Sequence, residues 1–372
     1  MGLLYLKDEI REEAKRGIEL IKNAGIDIIM ITGDSKETAT SIAKEVNIIE
    51  TEEDIVLESF ELNKLSDNEL KKQIKNIKVI ARALPSDKSR LVRICQEINL
   101  IVGMTGDGVN DAPALRRANV GFSMGSGTEV AKEASDIAIL DDNIISISKA
   151  ILYGRTIFKS IRKFIIYQLS VNMCALLLSI IGPFIGFSSP ITIVQMLWLN
   201  MIMDTFSALA FSYEPALTQY MNEPPKQKNE KIINSYMYNE IIVTSLYTAL
   251  ICILFLKLPI IRTIFRIGEN NKYLMTAYFS LFIFLGIFNA FNARTYRINI
   301  FSDIIKNKVF LIIISFIIIV QIYLIYFGGD LFRTYGLESH EFFLIIIIAM
   351  SVWFVDILRK LLLKKLNVKR MV

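Results

Sequence analysis

From about residue 156 onward the sequence is a succession of long apolar runs separated by short polar loops. No other feature narrows the fold as much. A segment that crosses hydrocarbon must satisfy its own backbone, and about 20 apolar residues wound as a helix is the simplest way to do so. Six runs are long enough: about 160–183, 190–211, 237–259, 274–293, 308–327 and 341–362. They imply an all-α bundle of six transmembrane helices in a lipid bilayer. Residues 1–155 are different, with charged and apolar residues mixed in short blocks. We therefore expect a soluble domain over 1–155 followed by a membrane domain over 156–372.

Charge sets an orientation. Lys and Arg gather in the loops near 212–236 and 294–307 and in the tail, at Arg359, Lys360, Lys364, Lys365, Lys369 and Arg370. Basic loops stay on the cytoplasmic side, so the soluble domain and the C-terminus are expected there. Arg262, Arg266 and Lys272 fall on the other side and are the exception. The net charge of +5 is accounted for by a membrane face and calls for no nucleic acid. Cys95, Cys174 and Cys252 are scattered and give no disulfide or zinc framework. His340 is the only histidine, which excludes a His-based triad or a His-rich metal site.

In the first domain, IIMI (28–31), VIA (79–81), IVGM (101–104), VGF (120–122) and IAIL (137–140) read as buried strands. Residues 11–24, 36–47, 87–98 and 128–134 read as helices between them. That alternation predicts a doubly wound α/β domain with a parallel sheet. Two strands run into the same tripeptide, Thr32-Gly33-Asp34 and Thr105-Gly106-Asp107. Ligands of open parallel sheets bind beyond the carboxyl ends of the strands, so both loops should face one crevice, with Lys88 of ALPSDK as a positive charge. In TGDGVNDAP the oxygens of Asp107, Asn110 and Asp111 suit Mg²⁺, and the glycines let backbone N–H groups approach an anion. The set suits phosphoryl transfer. No P-loop motif is present.

The apolar runs carry a few polar groups. Asn172 lies in QLSVNMCALLL; Asn200 and Asp204 lie in MLWLNMIMDTFSAL, spaced i, i+4 on one face. A carboxylate within a span is costly and marks an ion pathway by default. Glu240 and Asp356 lie near span ends and are expected at the interface. Asn289 and Asn292 suit helix packing, and the Gly182–Gly186 spacing beside Pro183 suits a loop. Residues 142–165 read as a helix that begins in the soluble domain and continues into the first span. Calcium takes six to eight oxygens, more than Asn172, Asn200 and Asp204 supply.

The sequence resembles the C-terminal part of P-type ATPases, and most closely plasma-membrane-type calcium pumps. The matching stretches are MITGDSKETATSIAKEV, ARALPSDKSRLV, VGMTGDGVNDAPALRRANVGFSMGSGTEVAKEASDIAILDDN and VQMLWLNMIMDTFSALAFSYEP, with VQIYLIYFGGDLF near 320–332 in weaker form. The resemblance implies a partial phosphorylation domain of haloacid-dehalogenase-like (Rossmannoid) fold, followed by the membrane bundle. It implies that Asp107 and Asp111 serve Mg²⁺, that Asn110 orders the same loop, and that Thr32, Gly33 and Lys88 contact the phosphoryl group. Asp34 would support the loop or the nucleotide, and Asp8 and Arg11 of KDEIR would lie near ATP. Asn172, Asn200 and Asp204 match calcium-ligand positions.

Two-site pumps of the family carry Glu where Ala175 stands and a carboxylate near Gly286. Their absence implies one Ca²⁺ per cycle. The family's phosphorylated Asp-Lys-Thr-Gly motif does not occur in these 372 residues, so the resemblance implies a missing N-terminal half, in the same or a separate chain, and an isolated chain that is inactive. Rival readings are a pump of the same class for another cation, a non-catalytic membrane subunit, and a phosphatase of the dehalogenase type, for which no nucleophilic aspartate is found.

Overall fold

A computed structural model of the chain describes residues 10–187 and 190–366, with Ile202 and Asn270 described by their backbone alone. The chain divides into two compact units, 1–155 with 216–230, and 156–215 with 231–372.

The first unit is α/β. It opens with α1 (Glu12–Asn23), whose acidic first turn and Lys22 in the last turn complement the helix dipole. The helix ends at Gly25, held at φ +72°, where Ile26 N–H bonds back to Ile21 O. A left-handed residue closing the last carbonyls is the usual place for glycine. Then follow β1 (Met30–Ile31), α2 (Lys36–Glu45), β2 (Ile55–Glu58), α3 (Ser59–Lys64), α4 (Asp67–Gln73), β3 (Ile77–Ala81) and α5 (Pro85–Glu97). Next come β4 (Gly103–Gly106), α6 (Ala112–Arg117), β5 (Val120–Met124), α7 (Glu129–Ala134) and β6 (Ile137–Ile139).

All described strand pairs are parallel, but they form two sheets, ordered β1-β3-β2 and β4-β5-β6. The sequence pattern led us to expect one. The middle strands are the best buried: β3 is covered along nearly its whole length, while β1 is only half-buried. The β2–α3–α4 segment was not legible. Its strand, IVLE, is half-buried throughout and carries a terminal glutamate, so it lacks the continuous apolar run of an inner strand.

The second unit is helical. Among the described residues, six helical segments are long and apolar enough to cross a membrane. The first is α8, Ile144–Ile181, unbroken through residue 155, where the units divide. The second is not one regular helix: α9 (Ile193–Leu197) gives way to a π-helical stretch, Trp198–Met203, and then to α10 (Asp204–Ser212). After these come α11 (Ser235–Lys257), a short α12 (Pro259–Ile264), α13 (Lys272–Arg294), α14 (Lys308–Phe327), a short α15 (Gly329–Phe332) and α16 (Ser339–Lys365). Within this unit α13 is the axis, with 89% of its most apolar window buried, against 33% for the more hydrophobic α14. In lipid the outside of a bundle is as apolar as the inside, so hydropathy does not rank spans by centrality.

Glu240 and Asp356, near the ends of their spans, are both buried within the helical unit at 2% exposure. Arg359 Nη2 lies 2.8 Å from Glu240 and 2.7 Å from Asp356, and Lys360 Nζ lies 2.6 Å from Asp356. Arg359 and Lys360 stand three and four residues beyond Asp356 on α16, on its own face. Cations that sequence assigned to a basic tail neutralise these carboxylates internally. Asn292 does pack: it is fully buried and its Nδ2 donates to Val352 O at 3.1 Å. Gly182–Ile185 is a 3₁₀ turn ending at Gly186, φ +91°.

Candidate functional site

Three segments build the site in the α/β unit. After β1, Thr32 Oγ1 donates to Asp34 Oδ2 at 2.7 Å and accepts from Asp34 N–H at 3.2 Å. The loop is clamped to the chain beyond β3, since Ala83 N–H reaches Thr32 O and Arg82 N–H reaches Asp34 O, both at 2.9 Å. Helix α2 is capped by Ser35, not Asp34: Ser35 Oγ accepts from Thr38 N–H. Asp34 is thereby left to its own loop.

Beyond β3 the chain enters α5 through Pro85 at its first turn, which brings Lys88 near the N-terminus of that helix. Asp87, buried to 1% exposure, fixes this entry. Its carboxylate accepts from Leu84 N–H at 2.9 Å, Ser59 Oγ at 2.6 Å and Asn63 Nδ2 at 3.1 Å. Sequence reading passed over Asp87. The signal was an acidic residue two places after a Pro at a helix start, a common capping arrangement.

The third segment follows β4. Asp111 is buried, and its Oδ1 pairs with Lys88 Nζ. Its Oδ2 accepts from Asp107 N–H at 3.2 Å and Gly108 N–H at 3.3 Å. Asp107 O accepts from Thr128 N–H at 2.8 Å, which ties the loop to α7. A Cβ on Gly106 would strike the Asp111 side chain, so the turn needs glycine for space. Lys88 and Asp111 thus join α5 to the β4 loop, and the Thr32 loop joins the same assembly through residues 82–83. Asp107 and Asn110 are exposed. With Asp111 engaged at both oxygens, Asp107 is the carboxylate with room for a metal's inner shell. Hard oxygen donors and few protein ligands suit Mg²⁺, which keeps several of its waters. Gly33 is exposed with nothing close to its Cβ position, leaving its backbone open to an anion. Arg11 is exposed ahead of α1; Asp8 lies outside the described residues.

In the helical unit the three expected ligands differ. Asp204 is buried at 7% exposure, whereas Asn172 and Asn200 are exposed on α8 and on the π-helical stretch. The i, i+4 spacing of Asn200 and Asp204 therefore does not give them one environment. Asp204 Oδ2 accepts from Gln168 Nε2 at 2.6 Å. Sequence reading missed Gln168, although it stands four residues before Asn172 on α8 and so shares its face.

Asp204 has a further distinction. Among the described spans the acidic side chains are Asp204, Glu240, Glu341 and Asp356. Glu240 and Asp356 have Arg359 and Lys360, and Glu341 has Arg266 at 2.8 Å. Asp204 alone is met by a neutral amide. Beside the π-helical stretch, the Met203 side chain lies 3.0 Å from where a Cβ on Gly286 would stand, so a thioether occupies the space next to that glycine.

Comparison with known proteins agrees with both halves. Residues 1–119 match the family of haloacid dehalogenase-like hydrolases, and residues 188–362 match the family described as cation transporting ATPase, C-terminus. The chain is 38% identical to calcium-transporting ATPase 12, plasma membrane-type, of Arabidopsis thaliana, over 95% of this chain and 34% of the relative. It is 37% identical to the probable calcium-transporting ATPase 8, plasma membrane-type, of Oryza sativa subsp. japonica, over 92% and 34%. Calcium-transporting ATPase PAT1 of Dictyostelium discoideum is 36% identical over 99% and 36%. The chain spans about a third of the length of the curated relatives it matches.

Proposed function

We propose that the chain is the C-terminal portion of a P-type cation-transporting ATPase, an integral membrane protein, and that it is the ion-binding and metal-binding part of a pump that exports Ca²⁺ at the cost of ATP; the two family matches and the six candidate spans among the described residues support this. The observation that carries the reading is Asp204. A buried carboxylate in an apolar bundle is expensive unless something neutralises it. Arginine or lysine neutralises the other three acidic side chains of the described spans; Asp204 is left for a cation that comes and goes.

Asn172 and Asn200 would add neutral oxygens to the same ion, with ligands from the rest of the protein completing its shell. The Met203 side chain against Gly286 supports a single site and one Ca²⁺ per cycle. The α/β unit would act on an aspartyl phosphate. Lys88, held by Asp111, presents its charge to the phosphoryl oxygens, with Thr32 and Gly33 as donors from the other loop. Mg²⁺ bound by Asp107, with Asp111 and Asn110 ordering its loop, would offset charge on the transferring group. Asp8, Arg11 and Asp34 would face the nucleotide.

The acceptor aspartate would come from a strand lying between β1 and β4. Each of these is an edge of its sheet, paired on one side only. Ile28 packs with both the Val79 and Phe122 clusters, and Val102 with both the Ile80 and Met104 clusters, so one inserted parallel strand would make a single seven-stranded sheet. Helix α8 belongs to both units and would carry the resulting movement to Asn172. In this reading the α/β unit and the C-terminus are cytoplasmic, and the membrane is the plasma membrane. The isolated 372-residue chain should form no acyl phosphate from radiolabelled ATP, and native protein detected through the α/β unit should run at more than twice 42.4 kDa. Label on the isolated chain would overturn the placement of the acceptor.

A further inference from the structure

Among the described residues, Gln168 is the one polar side chain hydrogen-bonded to the Asp204 carboxylate, through Nε2 at 2.6 Å. Its orientation is fixed by chemistry: a carboxylate only accepts, so the amide nitrogen and not the oxygen must face it. The other end of the amide, Oε1, is buried and has no hydrogen-bond partner. A buried acceptor without a donor is normally avoided. A carboxylate without a cation and an amide oxygen without a donor therefore meet in one place, and a hard cation bound by oxygens would satisfy both.

Resting on the reading of Asp204 given above, we infer that Gln168 is a switching ligand of the cation site. With no ion, Nε2 donates to Asp204 and holds the carboxylate in position. With an ion bound, the amide turns over about its terminal side-chain bond, a soft and roughly two-fold torsion, and Oε1 faces the ion beside Asp204. No covalent bond changes and no proton moves. The side chain is satisfied at both stages, and it adds an oxygen without adding charge. An apolar residue of the same length would do neither. Asn172, one turn further along α8, stands on the same helix face.

The test is ATP-driven uptake into membrane vesicles holding the complete protein, followed against free Ca²⁺ for the wild type and for Gln168→Leu, Gln168→Glu and Asp204→Asn, each scaled to the amount in the membrane. Gln168→Leu should raise half-saturating Ca²⁺ about tenfold, the loss of one charge-assisted contact, while the maximal rate changes about twofold or less. Gln168→Glu keeps an oxygen at that position and should restore half-saturation to near wild type. A prop between helices would instead make the two variants behave alike, in yield or in maximal rate. Wild-type half-saturation in Gln168→Leu, or, where that variant does not fold, loss of Ca²⁺ affinity in the nearly isosteric Gln168→Glu, overturns the switching ligand. If Asp204→Asn abolishes uptake while the Gln168 variants fail these expectations, only this inference falls. If Asp204→Asn transports like the wild type, the reading of Asp204 falls with it.

Discussion

Asp111 and Asp204 are both buried carboxylates at the centre of a candidate site, and they are held in opposite ways. Asp111 has Lys88 on one oxygen and two backbone N–H groups on the other. Asp204 has one neutral amide. The first carboxylate is engaged structurally: it fixes a lysine and a loop, and in the proposed function this leaves the neighbouring Asp107 to meet a metal. The second meets no lysine or arginine among the described residues. In the proposed function the saturated carboxylate organises its site and the under-neutralised one receives a cation. The ion pairs of Glu240, Glu341 and Asp356 show that this chain supplies compensating cations elsewhere in its spans.

Several substitutions would sharpen or break that contrast. The largest effect belongs to Lys88→Met, which strands Asp111 and, in the proposed function, removes a charge from the phosphoryl group. Turnover of the complete protein should fall by about 10²–10³, as for loss of a donor aimed at developing charge, read as ATP hydrolysis per folded molecule. Next is Glu240→Gln, which leaves Arg359 half-paired. Breaking a buried pair costs about 3–5 kcal/mol, so the melting temperature in detergent should drop while Ca²⁺ half-saturation stays put. A change in half-saturation without a change in melting would place Glu240 with Asp204 instead. Gly106→Ala drives a Cβ into Asp111 and should cost about 1–3 kcal/mol of stability, the usual range for overpacking, with weaker Mg²⁺ dependence of hydrolysis.

The smallest effect is one of pH. Arg93 and Arg90 beside Asp67 hold its carboxyl below the usual carboxylate range. A lowered folded value means that the stabilisation is present above the ordinary carboxylate range and is lost as pH falls through the folded value. Melting of the wild type should therefore decline more steeply in acid than that of Asp67→Asn. Equal slopes would show that the arginines do not stabilise the charged form.

What was legible in the sequence was what is local. TGDGVNDAP holds Asp107 and Asp111 within one loop, so its chemistry could be read from spacing, and Lys88 could be placed as a positive charge in the same crevice from strands that end on one side of a parallel arrangement; its pairing with Asp111 could not. Helix α8 could be traced because no Pro interrupts it on the way into the first span and a lone Gly154 does not break it. What was hidden depends on partners far apart in the chain. Gln168 meets Asp204 across 36 residues, and Arg359 meets Glu240 across more than a hundred. Arg266, which breaks the charge bias of the loops, is explained the same way: it pairs with Glu341 and Glu338 and stacks on Tyr273. The π-helical turn at Trp198–Met203 has no sequence signature in the residues themselves. The division into two sheets was equally hidden, since strand runs announce strands and not their neighbours.

The most direct test of the account is Ca²⁺ uptake itself. Inside-out vesicles carrying the complete protein, wild type or Asp204→Asn, would be given ATP, Mg²⁺ and radiolabelled Ca²⁺, with Mn²⁺ and Na⁺ as competitors. The account predicts saturable, ATP-dependent Ca²⁺ uptake that Asp204→Asn abolishes without lowering the amount or the melting temperature of the protein. Uptake that survives the substitution, or that follows another cation and not Ca²⁺, would contradict it.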